Sequence, residues 1–435
     1  MADPALWALA AACPATRPAT PGDAVAGVVP RYVASPATAG EASALLRTAA
    51  GHGLATVPRG AGTKLDWGAP PRRCDVVIDT GRLDQVLEHA AGDLVARVQA
   101  GVPVQRLGEV LARAGQQLAL DPPPGGPGGT IGGTLATAAA GPRRLRYGTP
   151  RDLVIGITVI RADGTVARSG GKVVKNVAGY DLGKLFAGSY GTLGLIVEAV
   201  FRLHPLPAGV AHVTVHCPDP AAAYRAVAAA VASELAPSAV EIDRAARDRP
   251  VRVCVLLEGD PDGVRERAGL MCGLLGAGAR TSPAAPAWWG WPDGAGEPGT
   301  LVRVAFWAAA LSKVLAVVDA AAADSGLDPA VGGSAAAGVI YARLGADADP
   351  AAVAGFVAAV REALARGDGD ARPPSAPVPD SPPVLASAVV VRAPAAVREL
   401  VYPWGPLPSL GLMRAVKDQF DPEHLMAPGR FTGGL

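Results

Sequence analysis

The apolar positions of this chain recur in two rhythms, and the alternation between them predicts its elements. Residues 41–50 carry a helical spacing closed by Gly51 and Gly53, and Leu54-Ala55-Thr56-Val57 then predicts a strand. Residues 75–79 and 94–98 are β-rich runs bounded by turn residues. Leu107, Val110 and Leu111 make a helical stripe within residues 105–114, ended by Gly115. Residues 152–160 and 166–168 flank Asp163-Gly164, a dipeptide that predicts a hairpin turn. Residues 180–187 predict a helix, and residues 195–203 a strand stopped by Pro205.

From about residue 208 the character changes. Strand patterns at 212–216 and 251–257 alternate with alanine-rich helical patterns at 221–235, 311–323 and 351–365. That order predicts an α+β domain with an antiparallel sheet covered on one face. Two irregular segments interrupt it. Residues 282–300 carry Trp288, Trp289 and Trp291, which read as packing under a loop, with a partner-facing patch as the alternative. The proline-rich residues 372–384 read as a linker. At the start, Leu6-Trp7-Ala8-Leu9-Ala10 has a signal-peptide look, but Asp3 and the absence of early Lys or Arg predict a short helix or tail. The apolar stretch after Phe306 is interrupted by Lys313 and Asp319, which argues against a membrane span.

Composition narrows the classes. A chain of 435 residues exceeds one ordinary core, so at least two domains are expected. A net charge of +1 argues against an electrostatically driven nucleic-acid partner. The dense basic run Arg143-Arg144-Leu145-Arg146 reads as a solvated loop or as a contact to an anion or partner. Five scattered cysteines without a Cys-x-x-Cys argue against a disulfide framework, a structural zinc or an iron–sulfur cluster held by this chain alone. Cytoplasmic residence is the default expectation.

The candidate chemistry lies in two glycine-rich loops about seventy residues apart. The first runs Pro58-Arg59-Gly60-Ala61-Gly62-Thr63-Lys64-Leu65-Asp66-Trp67-Gly68, and the second runs from Asp121 to Gly133. Gly60-Ala61-Gly62 has Leu65 where a Rossmann fingerprint needs its third glycine, and Ala69-Pro70-Pro71 soon follows, which no helix interior tolerates. No Gly-Lys-Ser or Gly-Lys-Thr of a P-loop occurs. A phosphate grip here would use backbone N–H groups freed by glycine, with Lys64 or Arg59 as nearby cations. Each loop alone is equally compatible with tight turns of purely structural purpose.

Longer motifs carry a resemblance. Gly129-Thr130-Ile131-Gly132-Gly133-Thr134-Leu135-Ala136-Thr137, Gly141-Pro142-Arg143-Arg144, Asp152-Leu153-Val154-Ile155-Gly156, Lys175-Asn176-Val177-Ala178-Gly179-Tyr180-Asp181-Leu182 and Gly188-Ser189-Tyr190-Gly191-Thr192-Leu193-Gly194 resemble the vanillyl-alcohol-oxidase, or PCMH, type of FAD-binding domain. With the first loop, the pattern looks most like the FAD-binding subunits of bacterial glycolate oxidases. Phe420-Asp421-Pro422 and Pro428-Gly429-Arg430-Phe431 are similar to the way these flavoproteins end. The resemblance is dense over residues 57–207, thin over 208–401, and returns in the last twenty residues.

What the resemblance implies is a tail at 1–25, an FAD-binding domain of two α+β subdomains at 26–207, and an α+β cap domain with an antiparallel sheet at 208–435. Carried over by position, Arg59, Gly60, Ala61, Gly62, Thr63, Lys64 and Leu65 meet the diphosphate. Gly129, Thr130, Gly132 and Gly133 meet diphosphate and ribityl, Ala136, Thr137 and Gly141 lie beside the flavin, and Ile196 contacts the cofactor through its backbone. The first loop lacks the histidine or cysteine of covalently flavinylated relatives, so non-covalent FAD is implied.

The chain also departs from the pattern. Ala138 and Ala427 stand where related 2-hydroxy-acid dehydrogenases often have Asn. The metal-binding His-x-Gly-Asp-Gly-Asn-x-His and later Glu-His-Gly of the catalytic relatives do not occur. His212 and His216 read as surface or core residues, and Tyr341 and Arg343 remain candidates for a carboxylate. Three functional readings stay open. The first is an FAD-bearing subunit acting with a catalytic flavoprotein subunit and an iron–sulfur subunit on a small 2-hydroxy acid such as glycolate, peripheral at the inner membrane face through its partners. The second is a self-sufficient FAD dehydrogenase of a small hydroxy acid or alcohol, and the third a redox-silent scaffold.

Overall fold

A computed structural model of the chain describes residues 3–122, 128–172, 180–292, 297–366 and 386–435. Part of the second glycine loop (123–127), residues 175–179 of the Lys175–Leu182 motif and the proline-rich 372–384 therefore lie outside the described residues. Contacts divide the chain into two compact units. Met1–Ala140, Gly148–Leu206 and Pro406–Leu435 form the first, and Gly141–Tyr147 with Pro207–Gly405 the second.

The first unit holds two main sheets among its described residues. In one, Thr16–Pro18, Tyr32–Ala34, Val76–Asp79 and Thr56–Arg59 lie side by side, the last three parallel. Val76, Val77 and Ile78 are all buried, as expected of a parallel strand covered on both faces. The helix Ala39–Gly51 is capped by the Thr38 side chain, which accepts from the Glu41 N–H, and packs Leu45 and Leu46 against Ile78. Of the short helix or tail expected at the start, the helix forms: Asp3 caps Pro4–Ala12, whose Leu9 joins the same cluster, so this part of residues 1–25 is a folded element. Asp followed by Pro is a helix-start signal that outweighs the weak apolar periodicity there.

The second sheet is antiparallel, in the order Val86–Ala90, Val95–Gln99, Leu195–Arg202, Val154–Ile160, Val166–Gly170. Its hairpin turns at Asp163-Gly164 as expected, with Ile160 opposite Val166 and Gly164 at φ +81°. The helix expected over 180–187 shrinks to Gly183–Phe186: Tyr180 is exposed, Phe186 anchors the turn, and Gly188 at φ +84° follows its end. The last thirty residues, expected in the second domain, return to the first unit. Thr56 N–H donates to Leu425 O (2.8 Å) and Ala427 N–H to Thr56 O (2.7 Å), so the C-terminal segment runs along the edge of strand Thr56–Arg59.

The second unit is built on an antiparallel sheet that, among the described residues, has eight strands in the order Arg280–Ser282, Gly209–Cys217, Val251–Gly259, Ala239–Arg244, Ala330–Gly333, Val339–Leu344, Thr300–Phe306, Ala386–Arg392. Asp-Pro starts at residues 219, 260 and 349 cap the helices Pro220–Ala232, Pro261–Leu275 and Pro350–Ala365. Alternate strand residues such as Val213, Val215, Val253 and Val255 join Val227, Met271, Val314 and Phe356 in one core. Residues of the opposite parity, including His212, Glu241, Asp243 and Glu258, are also buried. The tryptophans pack there: Trp291 on Tyr341 at 4.3 Å, Trp289 on His212 at 5.1 Å, and Trp288 under Arg252 at 5.2 Å.

Segment 141–147 joins this unit because its polar side chains find partners on the sheet. Arg143 pairs with Glu258 at 3.0 Å, the Tyr147 hydroxyl donates to Glu258 at 3.1 Å, and Arg146 donates to Ser238 at 3.2 Å. The basic run is thus in part an internal ion-pair site rather than a solvated loop. All five cysteines are free thiols, and burial pushes Cys74 and Cys254 up to about 12. Among the described residues no helix is long and apolar enough to cross a membrane.

Candidate cofactor site

The fold brings the two glycine loops into contact within the first unit. Strand Thr56–Arg59 delivers the first loop, where Gly62 takes φ +78°. A Cβ on Gly60 would overlap the Thr130 hydroxyl and lie 3.2 Å from Thr130 Cβ and Cγ2. A Cβ on Gly129 would sit 2.9 Å from Lys64 Nζ. Thr130 caps the helix Ile131–Thr137, its Oγ1 accepting from Gly133 N–H at 3.3 Å. Gly132 donates its N–H to Ala100 O at 2.7 Å, and its own Cβ would fall 2.7 Å from Ala100 Cβ. Glycine at 60 and 132 therefore serves the protein's own close packing, which in turn sets the shape of the cleft, whereas at 129 a Cβ would displace only the flexible end of Lys64.

All of Arg59–Leu65 lines this cleft, together with Thr130, Gly133, Ala136 and Thr137. Gly132 and Ile196 line the adjoining recess with Ala100 and Gly194. Of the residues expected from sequence, two fall outside the lining: Gly129, which lies behind it against Lys64, and Gly141, which lies in the second unit. The two cations of the first loop differ in state. Arg59 is held by Asp23 at 3.1 Å and Asp79 at 2.7 Å, so its guanidinium is already neutralised by two carboxylates and its place in the wall is fixed. Asp23 also takes Arg17, and these partners hold its carboxyl well below the usual carboxylate range.

Lys64 has no carboxylate partner among the described residues. Its Nζ lies 3.4 Å from Thr63 Oγ1 and 5.7 Å from the centre of the Trp67 ring, and burial lowers its pKa. A desolvated cation at a glycine-lined wall is suited to an anionic group. Close by, the Thr134 hydroxyl is buried without a hydrogen-bond partner among the described residues, 3.4 Å from where a Gly129 Cβ would be. Open backbone, a cation without a carboxylate and an unused buried hydroxyl together fit the phosphates of a dinucleotide.

Sequence reasoning missed three parts of the wall, although it had quoted the motifs that contain them. Tyr190 and Gly191 line the cleft in consecutive left-handed conformations, φ +56° and +76°. Tyr190 N–H donates to Ala136 O at 2.8 Å, which ties this turn to the helix Ile131–Thr137. Arg430 reaches the same cleft from the C-terminal segment and donates to Leu65 O and Trp67 O at 2.9 and 2.8 Å. The two alanines at positions where Asn was expected are both left-handed, Ala138 at φ +49° and Ala427 at +44°. Asn enters that region more readily than Ala, which gives the expected residue a conformational reason.

Residues 30–170 match the FAD binding domain family. The chain is 40% identical over 180 residues to the glycolate oxidase subunit GlcD of Bacillus subtilis, covering 41% of this chain and 38% of that one. It is 39% identical over 173 residues to a D-lactate dehydrogenase of Archaeoglobus fulgidus, covering 40% and 38%. An FAD-linked oxidoreductase of Mycobacterium tuberculosis matches at 34% over 238 residues, 54% of this chain and 51% of that one. The chain thus spans only about two fifths to one half of the length of these relatives. Among solved structures, p-cresol methylhydroxylase with substrate bound superimposes with a TM-score of 0.71 at 15% identity, over 98% of this chain and 96% of that one. Alkyldihydroxyacetonephosphate synthase gives 0.66 at 18%, over 92% and 76%. Residues 30–170 are therefore an FAD-binding domain, and the chain is a flavoprotein with the p-cresol methylhydroxylase fold.

Proposed function

We propose that this chain binds one FAD non-covalently in the cleft between its two glycine loops and serves as the FAD-bearing subunit of a complex that oxidises a small 2-hydroxy acid, with glycolate the leading candidate. The observation that carries the reading is the meeting of Gly60 with Thr130 and of Gly129 with Lys64, which assembles a cationic, backbone-lined wall from two distant loops. The names of the matched relatives, a glycolate oxidase subunit and a D-lactate dehydrogenase, support the substrate class. Bound FAD supplies a hydride acceptor. In this proposal the chain's own residues hold the diphosphate through Lys64 and the backbone of 60–65, and keep Thr130 and the helix behind it in register. Arg59, neutralised by Asp23 and Asp79, stiffens the wall and does not carry the anion.

The reading as one subunit of several rests on the lack, in the sequence, of the His-x-Gly-Asp-Gly-Asn-x-His and Glu-His-Gly segments of the catalytic relatives, and on the engagements of three of the six histidines. Oxidising a hydroxy acid calls for a placed base to take the hydroxyl proton. His89 is bonded to Gln116 at 2.9 Å, His424 to Asp418 at 2.8 Å, and His212 is packed on Trp289 with its pKa lowered by burial. Tyr341 packs on Trp291 with tilted rings, and Arg343 is paired with Glu297 at 2.6 Å. These engagements favour a catalytic flavoprotein sister that supplies the base and an iron–sulfur subunit that takes the electrons onward at the inner membrane face. The test is anaerobic mixing of the FAD-loaded chain with glycolate or D-lactate while the visible flavin band is followed. Bleaching only after the partner subunits are added supports the proposal. Bleaching of the isolated chain makes it a self-sufficient dehydrogenase, and no bleaching of its flavin in the assembled complex makes it a scaffold; either result overturns the proposal.

A further inference from the structure

The last twenty residues supply Arg430 to the cleft wall and brace that wall from behind, and no motif reading assigns them a role. Lys417 is fully buried and donates to Thr192 O at 2.7 Å, to Met426 O at 3.0 Å, and to Asp421. Asp421, equally buried, accepts from the N–H groups of Leu425 and Met426 at 3.0 and 2.7 Å. This clasp links the turn after Tyr190-Gly191 to the segment that runs beside Thr56. Beyond it, Phe431 stacks on Tyr190 with ring centres 5.8 Å apart. Arg430 is 4% exposed and places one nitrogen on Leu65 O and the other on Trp67 O. Those two carbonyls flank the end of the loop that carries Lys64.

Two features make this more than ordinary packing. A guanidinium fork bonding two carbonyls of one loop fixes its backbone at two points in one rigid plane, whereas an ammonium on a flexible stem is a point charge with rotatable donors. The loop it fixes has little of its own to hold it: the backbone bonds within it are Leu65 N–H to Gly62 O and Trp67 N–H to Lys64 O, at 3.3 and 3.2 Å. We propose that Arg430 is a positioning residue for cofactor capture. It holds residues 62–68 so that Lys64 and the glycine backbone face the diphosphate before FAD arrives, which makes the C-terminal segment a determinant of flavin affinity. The inference rests on the cleft being the FAD site.

The experiment compares apo-protein of the wild type, Arg430→Lys, Arg430→Gln and a control, Arg72→Gln. Arg72 holds the same segment through Gly434 O but lies outside the cleft lining. FAD affinity is measured by fluorescence titration and the apo-protein Tm by thermal scan. Loss of a preorganised loop should weaken FAD binding tenfold or more in Arg430→Gln, equivalent to ~1.4 kcal/mol. Arg430→Lys should recover only part of that, and Arg72→Gln should bind as the wild type does. A lowered Tm with unchanged FAD affinity would make Arg430 a stabilising residue only and overturn the proposal. Hydrogen exchange on the wild type gives a reading that needs no variant to fold. FAD should protect the first loop and residues 427–431 together, whereas protection confined to the loop contradicts the coupling. A wild type that binds no FAD at all would instead sink the reading of the cleft, a result distinct from either.

Discussion

Gly60→Ala is the sharpest perturbation of the cleft. The added methyl would overlap the Thr130 hydroxyl and press on Thr130 Cβ and Cγ2 at 3.2 Å, so one loop must move relative to the other. Overpacking of a tight contact costs about 1–3 kcal/mol, which corresponds to about 5- to 150-fold in FAD affinity if the displaced wall is the binding wall. Thr130 can be removed at small cost, since replacing a helix-capping residue by glycine loses only about a few tenths of a kcal/mol. The double variant Gly60→Ala/Thr130→Gly should therefore bind FAD more tightly than Gly60→Ala and about as tightly as Thr130→Gly alone. Gly62→Ala is a different kind of probe: its nearest neighbour would be Leu65 Cδ1 at 3.7 Å, so only the left-handed φ opposes it, at about 1–2 kcal/mol. The assay is fluorescence titration of apo-protein with FAD, with circular dichroism to confirm folding. Wild-type affinity in folded Gly60→Ala, or failure of Thr130→Gly to restore it, would refute the placing of the two loops against one ligand.

Other consequences can be tested separately. Lys64→Met should weaken FAD binding at neutral pH by about tenfold or more, the worth of one charge-assisted bond. Because burial lowers the Lys64 pKa, the unfolded chain holds that proton more tightly, and the group's contribution to apo-protein stability rises with pH through the window between the lowered and ordinary values. FAD needs the charged form, so wild-type affinity should fall as pH rises through the lowered pKa; an equal alkaline fall in Lys64→Met would contradict this assignment. Asp421→Asn leaves the Lys417 ammonium buried without its counter-charge, a loss of about 3–5 kcal/mol and hence a fall of about 6–20 °C in Tm. A change within a degree or so in a thermal scan would show the pair to be dispensable. Ala138→Asn should relieve a left-handed alanine and raise Tm by about 2–4 °C; a lower Tm would mean that the site penalises the larger side chain.

Much of the first unit was legible because its signals are local. The helix Ala39–Gly51 has its cap and closing glycines in sequence, and the Asp163-Gly164 turn dictates its own hairpin. The cofactor loops were legible for a related reason: glycine at 60 and 132 marks places where a neighbouring segment comes too close for a Cβ. Their reason for being glycine includes contact between two distant protein segments, which neither the ligand reading nor the tight-turn reading of each loop contains. What was not legible depends on pairings far apart in the chain. The return of the C-terminus rests on Lys417 meeting Thr192, and the capture of 141–147 on Arg143 and Tyr147 meeting Glu258. Arg59 looked like a phosphate ligand until Asp23, from the supposed tail, and Asp79 were found on it. No local pattern announces such partners. The expected helix over 180–187 failed for the opposite reason, an apolar rhythm whose residues Tyr180, Leu182 and Leu185 turned out to be exposed.

The central claim is that two glycine loops of one unit grip a single non-covalent FAD. Its most direct test is the flavin content of the purified full-length chain, measured by absorbance against protein concentration, followed by acid precipitation and identification of the released nucleotide. The account predicts one FAD per chain, found entirely in the supernatant, and a markedly lower content in Gly60→Ala purified the same way. Flavin retained in the protein pellet, FMN in place of FAD, or a flavin-free protein that stays so after incubation with FAD would contradict it.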